Sequence, residues 1–131
     1  MSKKNIENPL PSNEKAASYL ENARQILSEK ARKDDGEYRN IRYVKMASRT
    51  AYSAALLIID EYLKQHEGVK FKKPTSIEDY TDRLRKYDKK LLVLLLEVYD
   101  ELHIVGYYYG TRSVNTIQTG LENVRKMLTY I

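Results

Sequence analysis

The stretch SRTAYSAALLIIDEYL, residues 48–63, decides the fold, because its apolar residues recur at the spacing of one helix face. The residues of that face are Ala51, Ala55, Ile58 and Tyr62. Steps of three and four residues are the repeat of an amphipathic α-helix. The small alanines on this face allow another helix to approach closely. The pattern predicts a long helix from near Tyr38 to about His66.

Three further segments repeat this spacing and are separated from one another by glycine or proline. The first runs from a cap at Ser12 or Asn13 to Ala31, the third from Ser76 to near Ile104, and the fourth from Thr111 or Ser113 to Ile131. Amphipathic helices with mostly short connections form antiparallel bundles. The sequence therefore predicts an all-α protein, an antiparallel up-and-down four-helix bundle. We expect a single domain over residues 1–131, with residues 1–11 as a flexible or extended tail.

Glycines mark the expected ends of these helices. Gly36 and Gly68 follow the first and second helices, and Gly106 and Gly110 lie where the third is expected to stop. Glycine tolerates the positive φ that commonly ends a helix. Gly120 instead lies inside the fourth helix, where glycine costs about 1 kcal/mol relative to alanine. We expect a neighbouring backbone or aromatic ring to lie against it.

The composition restricts the classes of function. The 131 residues include no cysteine, which excludes disulfides and thiolate metal sites. No apolar run follows the N-terminal lysines and no run approaches the roughly 20 residues of a membrane span, so we predict neither a signal peptide nor a membrane partner. The formal charge of +5 is spread along the chain and favours nucleic acid only weakly. These observations predict a cytoplasmic protein.

Opposite charges lie on the second and third predicted helices. The second carries the basic residues Arg42, Lys45 and Arg49, and the third ends with the acidic residues Glu97, Asp100 and Glu101. In an antiparallel hairpin these two sets face each other. Carboxylates are unfavourable near a helix C-terminus, so we interpret the sets as cross-helix ion pairs. The alternative is that the basic set binds RNA.

Two six-residue apolar runs, at residues 54–59 and 91–96, cover the whole circumference of their helices. A helix in a four-helix bundle normally keeps one side in water. A helix that is apolar all round is either enclosed or meets another chain. We therefore predict a homodimer through the outward faces of these two segments.

The sequence contains few of the motifs that are typical of catalytic or metal sites. Asp100 and His103 have the spacing of half a carboxylate-histidine metal motif, but His66 has Leu63 in the carboxylate place. The chain has no Gly-x-Ser-x-Gly elbow and no glycine-rich phosphate loop. We therefore expect no metal, no cofactor and no assigned catalytic residue. Nothing in the sequence demands an enzyme.

The layout resembles the HEPN superfamily of small all-α domains. The resemblance is carried by residues 48–63, by the segment YDELHIVGYYYGTRS at 99–113, and by a last amphipathic helix. It implies a helical bundle, frequent homodimers, and either a toxin ribonuclease or a non-catalytic binding partner, in some cases of a nucleotidyltransferase. Ribonuclease members carry an arginine, then four to six residues, then a histidine that His103 matches, so the arginine has three permitted places. Here those places are occupied by Leu96, Glu97 and Val98, so the resemblance is to an uncharacterised branch without that arginine.

The tyrosines between Gly106 and Gly110 provide the candidate site. One interpretation is a structural corner in which these rings wrap the end of the bundle near Tyr38 and Tyr43, since tyrosine packs its ring and keeps its hydroxyl in water. The other is a ligand pocket, because rings stack on bases and helix N-termini bind anions. The candidate ligand-binding residues are His103, Tyr107, Tyr108, Tyr109 and Arg112. The functional prediction is a non-catalytic module that binds a protein or a nucleotide-like ligand. The alternative is an RNA endonuclease with a rearranged site around His103, in which Arg112 replaces the missing arginine.

Overall fold

The helix that contains residues 48–63 lies at the centre of the protein, and four others surround it. The structure is a computed structural model that describes residues 11–131. Its α-helices are α1 (Ser12–Gln25), α2 (Ile41–Glu67), α3 (Ile77–Tyr87), α4 (Lys89–Val98) and α5 (Val114–Met127). The all-α prediction is confirmed. In the described part of the chain there are five α-helices, where the sequence predicted four.

Three of the α-helices continue at their C-terminal ends as π- or 3₁₀-helix. α1 and α4 pass directly into π-helical segments, Ile26–Ala31 and Tyr99–Tyr109, and α5 ends in a 3₁₀ turn, Leu128–Tyr130. A further 3₁₀ turn, Gly68–Lys70, follows α2. π-helical winding is rare and is often found at functional sites. Both π-helical segments pack against α2.

The core forms around α2 because its small residues let the other helices approach. Ala47, Ala51 and Ala55 are fully buried, as the predicted helix face requires. Larger side chains such as Ile58 and Leu63 fill the space between helices with no exposed area. Each such side chain contributes about 1.5–3 kcal/mol to folding relative to an exposed one.

The predicted third helix is divided at Asp88, which corrects the expectation of one continuous helix. Asp88 has extended backbone angles (φ −157°, ψ 109°), and its carboxylate accepts a hydrogen bond from the Leu91 amide at 2.9 Å. Aspartate is a strong N-cap residue because its short side chain reaches the unpaired amides of a first turn. The sequence signal for this break was therefore present in Asp88 itself.

Between α1 and α2 the chain forms a hairpin of strands β1 (Lys33–Asp34) and β2 (Glu37–Tyr38), paired antiparallel. Asp35 and Gly36 both have positive φ, at 59° and 82°. Two such residues form the tight turn that suits paired strands. Gly36 was correctly expected to take positive φ, but the hairpin was not anticipated.

The helix starts agree with the sequence in part. Ser76 and Ser113 are N-caps whose hydroxyls accept from Asp79 and Thr116 amides, as predicted. α1 instead begins at Ser12 after Pro11, with no side-chain cap. Of the tail predicted over residues 1–11, residues 1–10 lie outside the described part of the chain.

Candidate ligand-binding site

Three aromatic residues lie four apart along the π-helical continuation of α4. The ring centroids of Tyr99 and His103 are 5.1 Å apart with a 30° angle between planes. Those of His103 and Tyr107 are 6.1 Å apart at 27°. Four-residue spacing places successive side chains on one side of a helix, so the three rings form a line along its surface.

α2 contributes a fourth ring and a cation to the same place. The Tyr52 ring lies 4.8 Å from the His103 ring and meets Tyr99 edge-on at 6.1 Å. The guanidinium carbon of Arg49 lies 5.8 Å from the Tyr107 centroid, within cation–π range. We call Tyr52, Tyr99, His103 and Tyr107 the ring row. All four side chains are half-buried, while Arg49 is exposed.

Gly106 allows the π-helical segment to lie this close to α2. A Cβ added to Gly106 would lie 2.8 Å from the Ser48 Cβ and 3.0 Å from the Ile117 Cδ1. Of the two glycines predicted to end the helix, Gly106 does not, because the helix continues through it to Tyr109. The stop is at Gly110, with φ of 83°.

Gly120 has the same kind of role in α5. An added Cβ would lie 2.7 Å from the Leu102 Cγ. The close neighbour is therefore a leucine side chain, not the backbone or aromatic ring that we expected.

Burial raises the pKa of the Tyr52 hydroxyl, and the neighbouring Tyr99 raises it further. Tyr52 therefore keeps its proton and can act as a hydrogen-bond donor. Within residues 11–131 no side chain or backbone group is hydrogen-bonded to the His103 ring nitrogens. They remain available to an incoming polar group.

Glu101, between Tyr99 and His103 in the chain, faces α5. Burial raises the pKa of the Glu101 carboxyl, the hydrogen bond from the Asn123 side-chain amide at 3.0 Å opposes this, and the nearby Glu97 and Asp100 raise it again. A shift from like charges means that these carboxylates repel one another. The cations that we predicted to neutralise them are not in salt-bridge contact with them.

The predicted ion pairs across the hairpin are therefore wrong. Among the described residues, no salt bridge joins Arg42, Lys45 or Arg49 to an acidic residue. Arg42 and Arg49 instead lie over the rings of Tyr43 and Tyr107. The register differs from the prediction because α3 and α4 are separate helices, so positions on α4 cannot be counted from the loop along one straight axis.

Of the five candidate residues, the structure brings together only His103 and Tyr107. Tyr108 and Tyr109 pack edge-on against each other at 5.1 Å and are 67% and 70% exposed, outside the ring row. Tyr107 contacts His103 and Arg49 in place of the expected packing near Tyr38 and Tyr43.

Arg112 connects the segment just before α5 to the β-hairpin through hydrogen bonds. Its guanidinium donates to the backbone carbonyls of Tyr38 and Arg39 at 3.0 and 2.7 Å. The Tyr38 amide in turn donates to the Arg112 carbonyl at 2.8 Å. Its hydrogen bonds thus connect distant segments of backbone.

The sequence interpretation missed Tyr52 and Tyr99, and it gave Arg49 only as part of the basic set with Arg42 and Lys45. The four-residue spacing of Tyr99, His103 and Tyr107 is visible in the sequence and could have identified Tyr99. No local signal identifies Tyr52 or Arg49, because their place beside His103 depends on how α2 and the π-helical segment pack.

The described residues also bear on two other features, a metal site and a membrane-spanning helix. Residues 11–131 contain no group of three or more His, Cys, Asp or Glu side chains placed to hold a metal ion. Over the same residues, no helix combines the length and apolar character needed to cross a membrane.

The fold and the ring row together define a small all-α domain with an aromatic, cation-flanked surface. The chain belongs to the family described as a domain of unknown function (DUF5618), which matches residues 11–131. It is similar to a solved protein of unknown function from Dyadobacter fermentans, with 32% identity, a TM-score of 0.80 and 91% of each chain covered. No functionally curated protein matches the chain.

Proposed function

We propose that this protein is a non-catalytic binding module whose ring row takes the base of a nucleotide-like ligand. The single observation that carries the proposal is the alignment of Tyr52, Tyr99 and Tyr107 around His103, beside Arg49. Aromatic side chains that stack on bases contribute about 1–3 kcal/mol per base in nucleic-acid-binding proteins.

The charge of Arg49 supports a ligand that carries phosphate. Within residues 11–131, Arg49 lies over the Tyr107 ring and forms no salt bridge. Arginine binds phosphate through paired N–H groups.

The resemblance to the HEPN superfamily adds three elements to the proposal. They are a helical bundle of that type, a homodimer, and a protein partner such as a nucleotidyltransferase. We place this complex in the cytoplasm. A non-catalytic role is consistent with the residues that occupy the places of the expected arginine, Leu96, Glu97 and Val98.

Calorimetric titration with nucleoside mono- and diphosphates tests the proposal. His103→Ala should weaken binding by roughly tenfold, the loss expected for one stacking ring, and Arg49→Gln should weaken the binding of diphosphates more than that of monophosphates. His66→Ala is the matched control, because His66 also lies among tyrosines but outside the ring row. Absence of binding to every nucleotide, or equal losses in the two histidine variants, would contradict the proposal.

An RNA endonuclease is the second candidate, and one contact favours it. Arg49 and His103 lie against the same ring, Tyr107, so α2 supplies a cation near the histidine. This arrangement replaces the predicted use of Arg112, whose guanidinium is bonded to backbone carbonyls. Incubation with total RNA in the absence of divalent cations should show cleavage that His103→Ala and Arg49→Ala abolish. Intact RNA across pH and salt would remove this candidate.

A further inference from the structure

The outward side of α4 and the first turn after it form an exposed stripe. We call it the outer face of α4, and its residues are Lys89, Lys90, Val93, Leu96, Glu97 and Asp100. Val93 and Leu96 at its centre are 52% and 45% exposed, which is unusual for large apolar side chains on a helix with a buried opposite side. Such a face favours contact with another molecule.

The charges on the outer face have opposite signs at its two ends. Lys89 and Lys90 lie at the start, and Glu97 and Asp100 lie at the end. Within residues 11–131, none of the four takes part in a salt bridge. The face therefore presents uncompensated charge around an apolar centre.

The order of these residues is complementary to itself. Lys89 precedes Val93 by four residues, and Asp100 follows Leu96 by four residues. When two such helices lie antiparallel with Val93 against the partner's Leu96, the equal offsets place Lys89 against the partner's Asp100. A two-fold axis repeats each contact, as an isologous interface requires.

We propose that two copies of this chain associate through the outer face of α4, antiparallel and around a two-fold axis between Val93 and Leu96. In this pair Lys90 lies near the partner's Glu97, diagonally across the axis. Opposite charges arranged in this way fix the register and the orientation of an interface.

A groove beside the outer face extends the apolar surface. Its volume is about 530 Å³. Its lining includes Val93 and Leu94 of α4 and Tyr130 after α5, with Lys126 at its edge. The side chains of a second copy that pass Val93 can enter this groove.

The other segment predicted to form a dimer face is mostly covered. In the run at residues 54–59, Ala54, Ala55, Ile58 and Ile59 are fully buried by the chain's own helices. Leu56 and Leu57 pack partly against the same core. Of these two runs, the one on α4 therefore has the more exposed large apolar side chains, Val93 and Leu96.

The inference rests on the homodimer in the proposed function but not on the ligand site. Sedimentation equilibrium of the wild-type chain should give a dimer at concentrations of about 50 μM, the range expected for an interface of modest size. The variants K89E/K90E and E97K/D100K should each raise the dimer dissociation constant by roughly tenfold or more, because each places like charges opposite one another.

Mixing the two variants provides the decisive measurement. One face is then entirely acidic and the other entirely basic, so the mixture should form a heterodimer although neither variant pairs with itself. K70E/K72E makes the same change of charge in the loop after α2 and should leave the wild-type constant unchanged. A monomeric wild type, unaffected self-association in both variants, or no heterodimer on mixing would overturn the inference. Nucleotide titration of the same samples separates this failure from a failure of the ligand site.

Discussion

His66 and His103, the two histidines of the chain, both lie among tyrosines, but their surroundings differ. His66 lies between Tyr62 and Tyr87 at 4.2 and 5.0 Å, and its Nδ1 is 3.0 Å from the Tyr62 carbonyl oxygen. His103 contacts three rings of the ring row, with no hydrogen bond to its nitrogens from the described residues.

The arginines beside the two clusters differ in the same way. Arg83, near His66, donates to both carboxylate oxygens of Glu67 at 2.6 and 3.3 Å and also pairs with Asp79. Arg49, near His103, lies over the Tyr107 ring and forms no salt bridge with any residue from 11 to 131. The same residue types therefore form a cluster held by ion pairs around His66 and a surface without such pairs, among the described residues, around His103. Within residues 11–131, the polar groups around His103 have fewer partners, so we expect a ligand to bind there.

The largest expected effect comes from Gly106→Ala, which removes the close approach beneath the ring row. The added Cβ would meet the Ser48 Cβ at 2.8 Å, and overpacking of this kind costs roughly 2–3 kcal/mol. Urea unfolding should show this loss, and ring resonances should shift at His103 but not at His66. The double variant S48G/G106A should regain part of the stability, because it moves the Cβ from one helix to the other. Wild-type stability in G106A would contradict the packing described.

Replacing Arg83 and replacing Arg49 should lower stability by different amounts. Arg83→Ala is expected to lower the free energy of unfolding by about 1–2 kcal/mol, since it leaves the half-buried Glu67 without its partner. Arg49→Ala should cost less than about 0.5 kcal/mol, as an exposed residue without an ion pair. Chemical denaturation of both variants under one condition provides the measurement. Equal losses would mean that the two clusters do not differ in the way proposed.

The smallest effect compares Glu101, two residues before His103, with Glu67, next to His66, and it depends on pH. Burial, opposed by Asn123 and aided by Glu97 and Asp100, raises the pKa of Glu101 above its ordinary 4.5. The native state then binds this proton more tightly than the unfolded chain, so stability falls as pH rises from 4.5 through the raised pKa.

Glu101→Gln should therefore stabilise the protein at pH 7 by a few tenths of a kcal/mol, and this gain should fade as pH falls to 4 and the wild-type carboxyl takes up its proton. The glutamine oxygen can still accept from Asn123. Glu67→Gln is the control of opposite sign, because it removes the charge paired with Arg83. Thermal unfolding across pH checks both, and a stabilising Glu67→Gln or a destabilising Glu101→Gln would contradict the assignment.

Particular residues show how far the sequence could predict the fold. Ala51 and Ile58 are buried on the face that their spacing predicted, and Ser76 and Ser113 cap the helices that follow them. Asp88, an N-cap residue, and the Asp35–Gly36 pair, a hairpin turn, are local signals that could have predicted the break between α3 and α4 and the β-hairpin. The candidate site was predicted less well: His103 and Tyr107 lie together, while Arg112 is bonded elsewhere.

The sequence by itself determined the helical class, most helix ends and the buried face of α2, because spacing, caps and glycine conformations act within a few residues of chain. Tertiary structure alone decided which rings meet His103 and which cations remain without a carboxylate. Those contacts depend on the register between helices, which is set by side chains that interlock across the core, such as Ser48 against Gly106.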